Sequence, residues 1–228
     1  MRYLLLLIFI FLSAEAITYD DETLKKQIGH MIVIGFDDAY IEKNSSIISQ
    51  INKYELGGVI LFDKFYNDRN LTKNISSPKQ LRELTSALKQ YTNSPLLISI
   101  DQEGGKVARL KPSYGFTQTP SAKTISKLSL EKAKEIYKQQ AKMLHQAGIN
   151  TNFAPVVDLE VNPKNKVIVG LERSYGVTSE KVSEYAKILI DTQRDENIIS
   201  VLKHFPGHGS SLGDSHEGFV DITDTWSK

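Results

Sequence analysis

"LLISID", residues 96–101, is an apolar run that ends on a carboxylate. A strand with one wet face alternates apolar and polar residues. This run is nearly continuous, which suits a strand buried on both faces of a parallel sheet. Four further stretches read the same way: "MIVIGF" (31–36), "GGVILF" (57–62), "TNFAPVVD" (151–158) and "IISVLKH" (198–204). Between them lie segments of helical period. Leu81, Leu84, Leu88 and Tyr91 follow Ser77-Pro78, where proline in the first turn needs no N–H partner. Ile136, Tyr137, Leu144 and Ala147 mark a second helix, closed by Gly148. Val182, Tyr185, Ala186, Leu189 and Ile190 mark a third after Thr178-Ser179. No linker or low-complexity tract divides the chain, so the order β-α, repeated, describes one α/β unit.

Each run fits a barrel strand or a doubly wound one. Polar residues collect where the runs end, at Asp101, Asp158, Lys203 and His204. In a (β/α)₈ barrel those strand ends form the active-site face. The expected fold is therefore α/β, a TIM (β/α)₈-type barrel. Only about five β-α units are countable, against eight strands and about 250 residues in a whole barrel. Doubly buried strands with open edges would also be an aggregation hazard. The expectation is an incomplete barrel domain over residues 17–228, truncated at its C-terminal end.

Composition narrows the partners. Lys plus Arg (28) nearly cancels Asp plus Glu (27), so no basic field exists to gather nucleic acid, and a small neutral partner fits better. The start, "MRYLLLLIFIFLSAEA", has a positive residue at Arg2, an apolar run from Leu4 to Leu12 and a small-x-small site at Ala14-Glu15-Ala16. Nine apolar residues are too few to span a bilayer, which takes about 20. Residues 1–16 read as a signal peptide, with export to a periplasmic or secreted location and no stable membrane insertion after cleavage. The chain has no cysteine, so disulfides and lipid attachment at cysteine are excluded. Asn-x-Ser/Thr triplets at Asn44, Asn70 and Asn74 carry no weight in so Asn- and Ser-rich a chain.

"KHFPGHGSSLGDSH" (203–216) holds three of the five histidines. His204 and His208 have the spacing of two zinc ligands on a helix, with Asp214 and His216 to complete a shell. Phe205-Pro206-Gly207 intervenes, and proline costs a helix interior about 3 kcal/mol, so a shared helical face is disfavoured although a loop could still gather ligands. A phosphate cradle at Gly207 and Gly209 is weaker, because no Lys-Ser/Thr pair follows. Asp214-Ser215-His216 places a carboxylate two residues from an imidazole, an arrangement that can fix the ring's tautomer and leave one nitrogen for proton transfer; a solvated loop with a chance histidine remains the alternative. "DQEGGKVARL" (101–110) ends a strand on Asp101, turns at Gly104-Gly105 and can return Arg109 to the same pocket. Carboxylates and guanidinium groups together grip several hydroxyls at once. "GLERSYG" (170–176) adds Arg173.

Taken together, "IDQEGGKVARL", "NFAPVVDL", "ERSYG" and "KHFPGHGSSLGDSH" resemble successive motifs of glycoside hydrolase family 3, and more narrowly its β-N-acetylglucosaminidase branch, from about residue 22 onward. The resemblance implies a (β/α)₈ barrel that removes terminal N-acetylglucosamine with retention, in a setting such as peptidoglycan recycling. By that resemblance Asp101, Arg109, Arg173, Lys203 and His204 bind the sugar. Asp214 and His216 form an acid/base dyad in which histidine replaces the usual carboxylic acid. His208 matches a loop position, and Lys106 stands where relatives carry arginine. No metal or cofactor is implied. Family members supply a nucleophilic aspartate beyond the dyad loop; "VDITDTW" (220–226) resembles the segment before it, so neither Asp221 nor Asp224 takes that role, and this chain alone is expected to be inactive. The alternatives are a non-catalytic sugar-binding remnant, a β-glucosidase of the same family and a metal-dependent hydrolase. Oligomeric state and natural aglycone are open.

Overall fold

The computed structural model describes residues 20–223. The expected signal peptide, residues 1–16, lies outside the described residues, as does Asp224. All five apolar runs form strands: β1 Val33–Gly35, β2 Gly58–Leu61, β3 Leu97–Ile100, β4 Thr151–Asn152 and β5 Ile199–Ser200. They make one parallel sheet in the order β1-β2-β3-β4-β5. A doubly wound sheet reverses its strand order at a switch point. Here every strand is added outside the last, which is the arc of a (β/α)-type barrel, and the arc is open.

The strands are shorter than the runs, most of all β4 and β5. Pro155 has no N–H to give the ladder, so pairing lapses after Asn152 and resumes only as a bridge between Val156 and Lys203. Burial on both faces holds for the middle of the sheet, where Val59, Leu61, Ile98, Ile100 and Asn152 are fully inaccessible. It fails at the edges: Val33 is 37% and Ile199 53% exposed, and beyond β5 Leu202 is 55% and Phe205 98% exposed. No neighbouring strand among the described residues covers either edge.

The helices expected from periodicity are α3 Pro78–Tyr91, α5 Leu130–Gln146 and α6 Ser179–Asp195. Ser77 caps α3 by accepting from Gln80 N–H, and Thr178 caps α6 by accepting from Lys181 N–H. Three more helices had no counterpart in the periodicity: α1 Asp21–His30, α2 Ser46–Tyr54 and α4 Ala122–Ile125. α2 buries Ile47, Ile48 and Ile51 within barely more than two turns, too short a stretch to establish a period.

Leu81, Leu84 and Leu88 of α3 pack with the isoleucines of α2 and Leu144 of α5 against the middle strands. Each such leucine contributes about 1.5–3 kcal/mol by leaving water. A second cluster joins α4, α5 and α6 through Ile125, Tyr137, Tyr175 and Tyr185. With apolar surface committed to the helix side of the sheet, the segments leaving the strand ends are free to be polar, and they build the site.

Candidate active site

β3 ends at Ile100, and Asp101 is the next residue. What returns the chain to it is Gln102, 0% exposed, whose side-chain oxygen accepts from both Arg109 N–H and Leu110 N–H at 2.9 Å. Asn152 of β4 fixes Gln102 in turn, accepting from its N–H at 3.0 Å. Gly104 makes the turn at φ +108°, where a Cβ would stand 2.2 Å from the carbonyl oxygen of Pro120. The folded-back Arg109 places Nη2 3.2 Å from Asp101 Oδ2.

From Asp101 a chain of ion pairs crosses the strand ends. Lys203, just after β5, sets Nζ 2.8 Å from Asp101 and 2.6 Å from Glu103. Glu103, with a side chain 6% exposed, receives Arg173 through two parallel N–H bonds of 2.8 Å. Arg173 Nη2 lies 3.2 Å from His204 Nε2, and His204 Nδ1 lies 2.6 Å from Asp158 Oδ2. A carboxylate only accepts and a guanidinium only donates, so His204 carries its proton on Nδ1 and accepts at Nε2. Asp158 also accepts the N–H of His208 at 2.6 Å. Burial pushes the Asp158 carboxyl up, but the His204 ring and the His208 amide outweigh it and hold it below the usual carboxylate range. For Asp101, burial is likewise overcome, by Lys203 first and then Arg109, and the net shift is downward.

The loop after β5 carries a separate pair. Asp214 Oδ1 accepts His216 N–H at 3.0 Å and faces His216 Nδ1 at 2.6 Å. The backbone bond, then the ring, lowers the Asp214 carboxyl. Nε2 of His216 points free of the pair, on a side chain 75% exposed. Gly209 seats this loop on the β4 exit so closely that a Cβ would meet Leu159 O at 1.9 Å.

All seven residues nominated from sequence, Asp101, Arg109, Arg173, Lys203, His204, Asp214 and His216, line one cavity of about 660 Å³. Glu103 lines it too and was missed, although "DQEGG" carried it between the nominated Asp101 and the turn. Gln102 was missed because its work is to close a turn, and Asp158 was noted at a strand end without a role. His208 ties the loop together, its ring facing Ser211 Oγ at 2.8 Å and its amide bound to Asp158. Lys106 lies outside the grip and donates to Gly170 O. Of the residues in the metal reading, His204 and His208 turn their ring nitrogens to protein partners, and Asp214 and His216 pair with each other.

An arc of parallel β/α units whose strand ends hold carboxylates and cations in one cavity, with an Asp–His pair beside them, places the chain in the (β/α)-barrel class. Residues 23–226 match the model of the glycosyl hydrolase family 3 N-terminal domain, and the chain belongs to that family. It is 34% identical over 174 residues to a β-hexosaminidase of Nitrosomonas eutropha, covering 73% of this chain and 46% of that protein. It is 30% identical over 201 residues to β-hexosaminidase LpqI of Mycobacterium tuberculosis, covering 86% and 46%. A glycoside hydrolase family 3 β-N-acetylglucosaminidase from Paenibacillus sp. str. FPU-7 superposes with a TM-score of 0.75 at 35% identity, covering 85% of this chain and 35% of that one. The chain spans about half the length of the curated relatives it matches.

Proposed function

We propose that the chain supplies the sugar grip and the acid/base of an exo-acting, retaining β-N-acetylglucosaminidase that trims peptidoglycan fragments or related amino sugars. The observation that carries this reading is the shared cavity: an ion-paired floor of Asp101, Arg109, Lys203, Glu103 and Arg173, and above it His216, held by Asp214 with Nε2 free. The floor offers charged groups to the hydroxyls of a terminal sugar. Asp214 orients the ring and balances its charge while His216 Nε2 gives a proton to the leaving oxygen; the same nitrogen then takes one from water.

No described carboxylate is assigned the attack. Asp101 and Glu103 are ion-paired, Asp214 holds the acid, and Glu217 follows the acid directly. We therefore propose that the 228-residue polypeptide by itself binds the sugar without turning it over, and the same observation favours the second reading, a sugar-binding protein. In an active full-length protein, His216→Ala is expected to slow cleavage of a substrate with a sugar leaving group far more than that of 4-nitrophenyl N-acetyl-β-D-glucosaminide. Equal losses on both would remove the acid role, and rapid turnover by the 228-residue polypeptide would overturn the division of labour. Export is part of the proposal and rests on the segment 1–16; the N-terminal residue of the mature protein, expected at Ile17, tests it.

A further inference from the structure

A second cavity lies away from the strand ends, in the helix layer, between α3, α5 and the loop that follows the 3-10 turn Pro112–Tyr114. Its volume is about 450 Å³, and it shares no lining residue with the cavity that holds the dyad. Its walls are tied down locally. Gly115 turns the loop at φ +90°, so close to α3 that a Cβ would stand 3.5 Å from Pro78 Cδ. Thr85 Oγ1 of α3 donates to Ala147 O, just past α5, at 2.9 Å and joins the two helices. Phe116 and Ala147 are buried and Met143 packs against the core, so the groove has an apolar floor.

Arg82 of α3 and Lys142 of α5 line the same groove and are exposed. Among the described residues neither side chain makes an ion pair or a hydrogen bond. The acids that could have neutralised them are engaged elsewhere, Glu83 with Lys79 at 3.4 Å and Glu135 with Lys132 at 2.7 Å, and no acidic residue lines the groove. Two unpaired cations beside an apolar floor complement a ligand that joins an anionic head to an apolar body. We propose that this groove binds a small amphipathic anion, its carboxylate or phosphate held by Arg82 and Lys142 and its carbon chain laid against Phe116 and Met143. The guanidinium offers a fork to either head, and the ammonium a point charge. The volume falls within the roughly 300–1,000 Å³ of small-molecule sites. A recess of about 150 Å³, which shares Thr117 and Met143 with the groove and reaches Ile136, gives the chain room to continue along α5. Nothing in this proposal depends on the sugar reading above.

Calorimetry on the 228-residue polypeptide with four probes tests it: octanoate, octyl phosphate, neutral octanamide and acetate. At low salt at least one of the two octyl anions is expected to bind about five- to tenfold more tightly than octanamide, a modest gain for exposed charge-assisted contacts, and the tighter of the two identifies the head. Acetate, which has the charge without the chain, should bind at least about tenfold more weakly than octanoate. Replacing both cations, Arg82→Ala with Lys142→Ala, should erase the preference for charge. Thr117→Trp, at an exposed position, should fill the groove and abolish binding of the octyl probes while Tm stays that of the wild type. The competing apolar surface is the sheet edge at Phe205, 98% exposed. Octyl binding that survives both Thr117→Trp and the double alanine variant would place the ligand there and overturn the groove. Octanamide binding as tightly as both anions, or acetate as tightly as octanoate, would overturn the ligand class, and binding of no probe would overturn the site.

Discussion

Lys203→Met reads the floor of the cavity. The lysine shares its charge between Asp101 at 2.8 Å and Glu103 at 2.6 Å, and the three side chains are 17%, 18% and 6% exposed. Methionine keeps an unbranched apolar stem of similar reach and removes the charge, so the change is electrostatic before it is steric. Removing one partner of a buried ion pair costs about 3–5 kcal/mol, because a charge is left unpaired in a poor solvent for it. Here both carboxylates keep an arginine, Arg109 on Asp101 and Arg173 on Glu103. The lower end applies, about 3 kcal/mol at pH 7.

The pH dependence supplies the control. Burial raises the Asp101 carboxyl, but Lys203 and then Arg109 bring it below its usual range. A group whose folded value is depressed stabilises fully above its unfolded value, about 3.9, and that contribution is lost as pH falls through the folded value. The gap between wild type and Lys203→Met should therefore be fullest at pH 7, about 3 kcal/mol, and smaller at pH 3, because it shrinks as pH falls below about 3.9 toward the depressed folded value. Urea unfolding followed by far-UV circular dichroism measures it; guanidinium chloride would screen the ion pairs under test. A gap of the same size at both pH values would mean that Lys203 acts through packing, and the electrostatic account of the floor would fall.

Three further outcomes are expected. Gly104→Ala forces a Cβ toward Pro120 O at φ +108° and should cost about 3 kcal/mol, a fall in Tm of roughly 6–12 °C; a fall under 2 °C would show that the turn relaxes. Tyr137 and Tyr175 share a buried O–H···O contact of 2.7 Å, so Tyr137→Phe strands the partner hydroxyl and should cost about 1–2 kcal/mol, while the double change to phenylalanine should cost less than the two singles summed. Additive costs would deny the bond. Asn74 accepts from Phe62 N–H and donates to the carbonyls of Phe36 and Asp38, so Asn74→Ala should cost about 2–4 kcal/mol with faster amide exchange across residues 64–72, which fold back through a Lys64–Thr72 bridge; unchanged exchange there would place that segment's order elsewhere.

Strand positions were legible because a doubly covered strand must be apolar along its whole length, and "LLISID" and "GGVILF" are. Strand ends were less so: Pro155 cuts β4 short while leaving "TNFAPVVD" apolar to the eye. α3 and α6 announced themselves through Ser77-Pro78 and Thr178, local chemistry visible in local sequence. The nominated residues do share a cavity. Glu103 escaped for the opposite reason, since its meaning depends on Arg173, seventy positions away, and on a fold that brings the two within 2.8 Å. Tyr66 and Arg69, which line the same cavity, escaped because nothing in "DKFYNDRN" signals that the segment folds back on itself: beside the Lys64–Thr72 bridge, Phe65 N–H donates to Leu71 O and Lys73 N–H to Asp63 O, and the asparagine that fixes the base, Asn74, lies outside the stretch.

Floor and loop differ in what they can do with a proton. Across the floor, Lys203 and the arginines neutralise Asp101 and Glu103, and His204 is locked between Asp158 and Arg173, so no group there has a proton to lend without breaking the network. On the proposed function, proton transfer comes from outside it, from the loop after β5, and that loop is wet: Phe205 is 98% exposed and the His216 side chain 75%. A carboxyl in such a place would titrate near its ordinary value of about 4 and be ionised at neutral pH, useless as an acid. Retaining enzymes that rely on a carboxylic acid raise its pKa by burying it in an apolar pocket, which an exposed loop cannot provide. Histidine is the residue type that can exchange a proton at neutral pH without an apolar pocket around it, so the choice of residue does what burial does elsewhere. On the proposed role, His216 rather than an aspartate or glutamate is what allows the acid to sit on an exposed loop, and Asp214, ionised beside it, keeps the ring turned the right way.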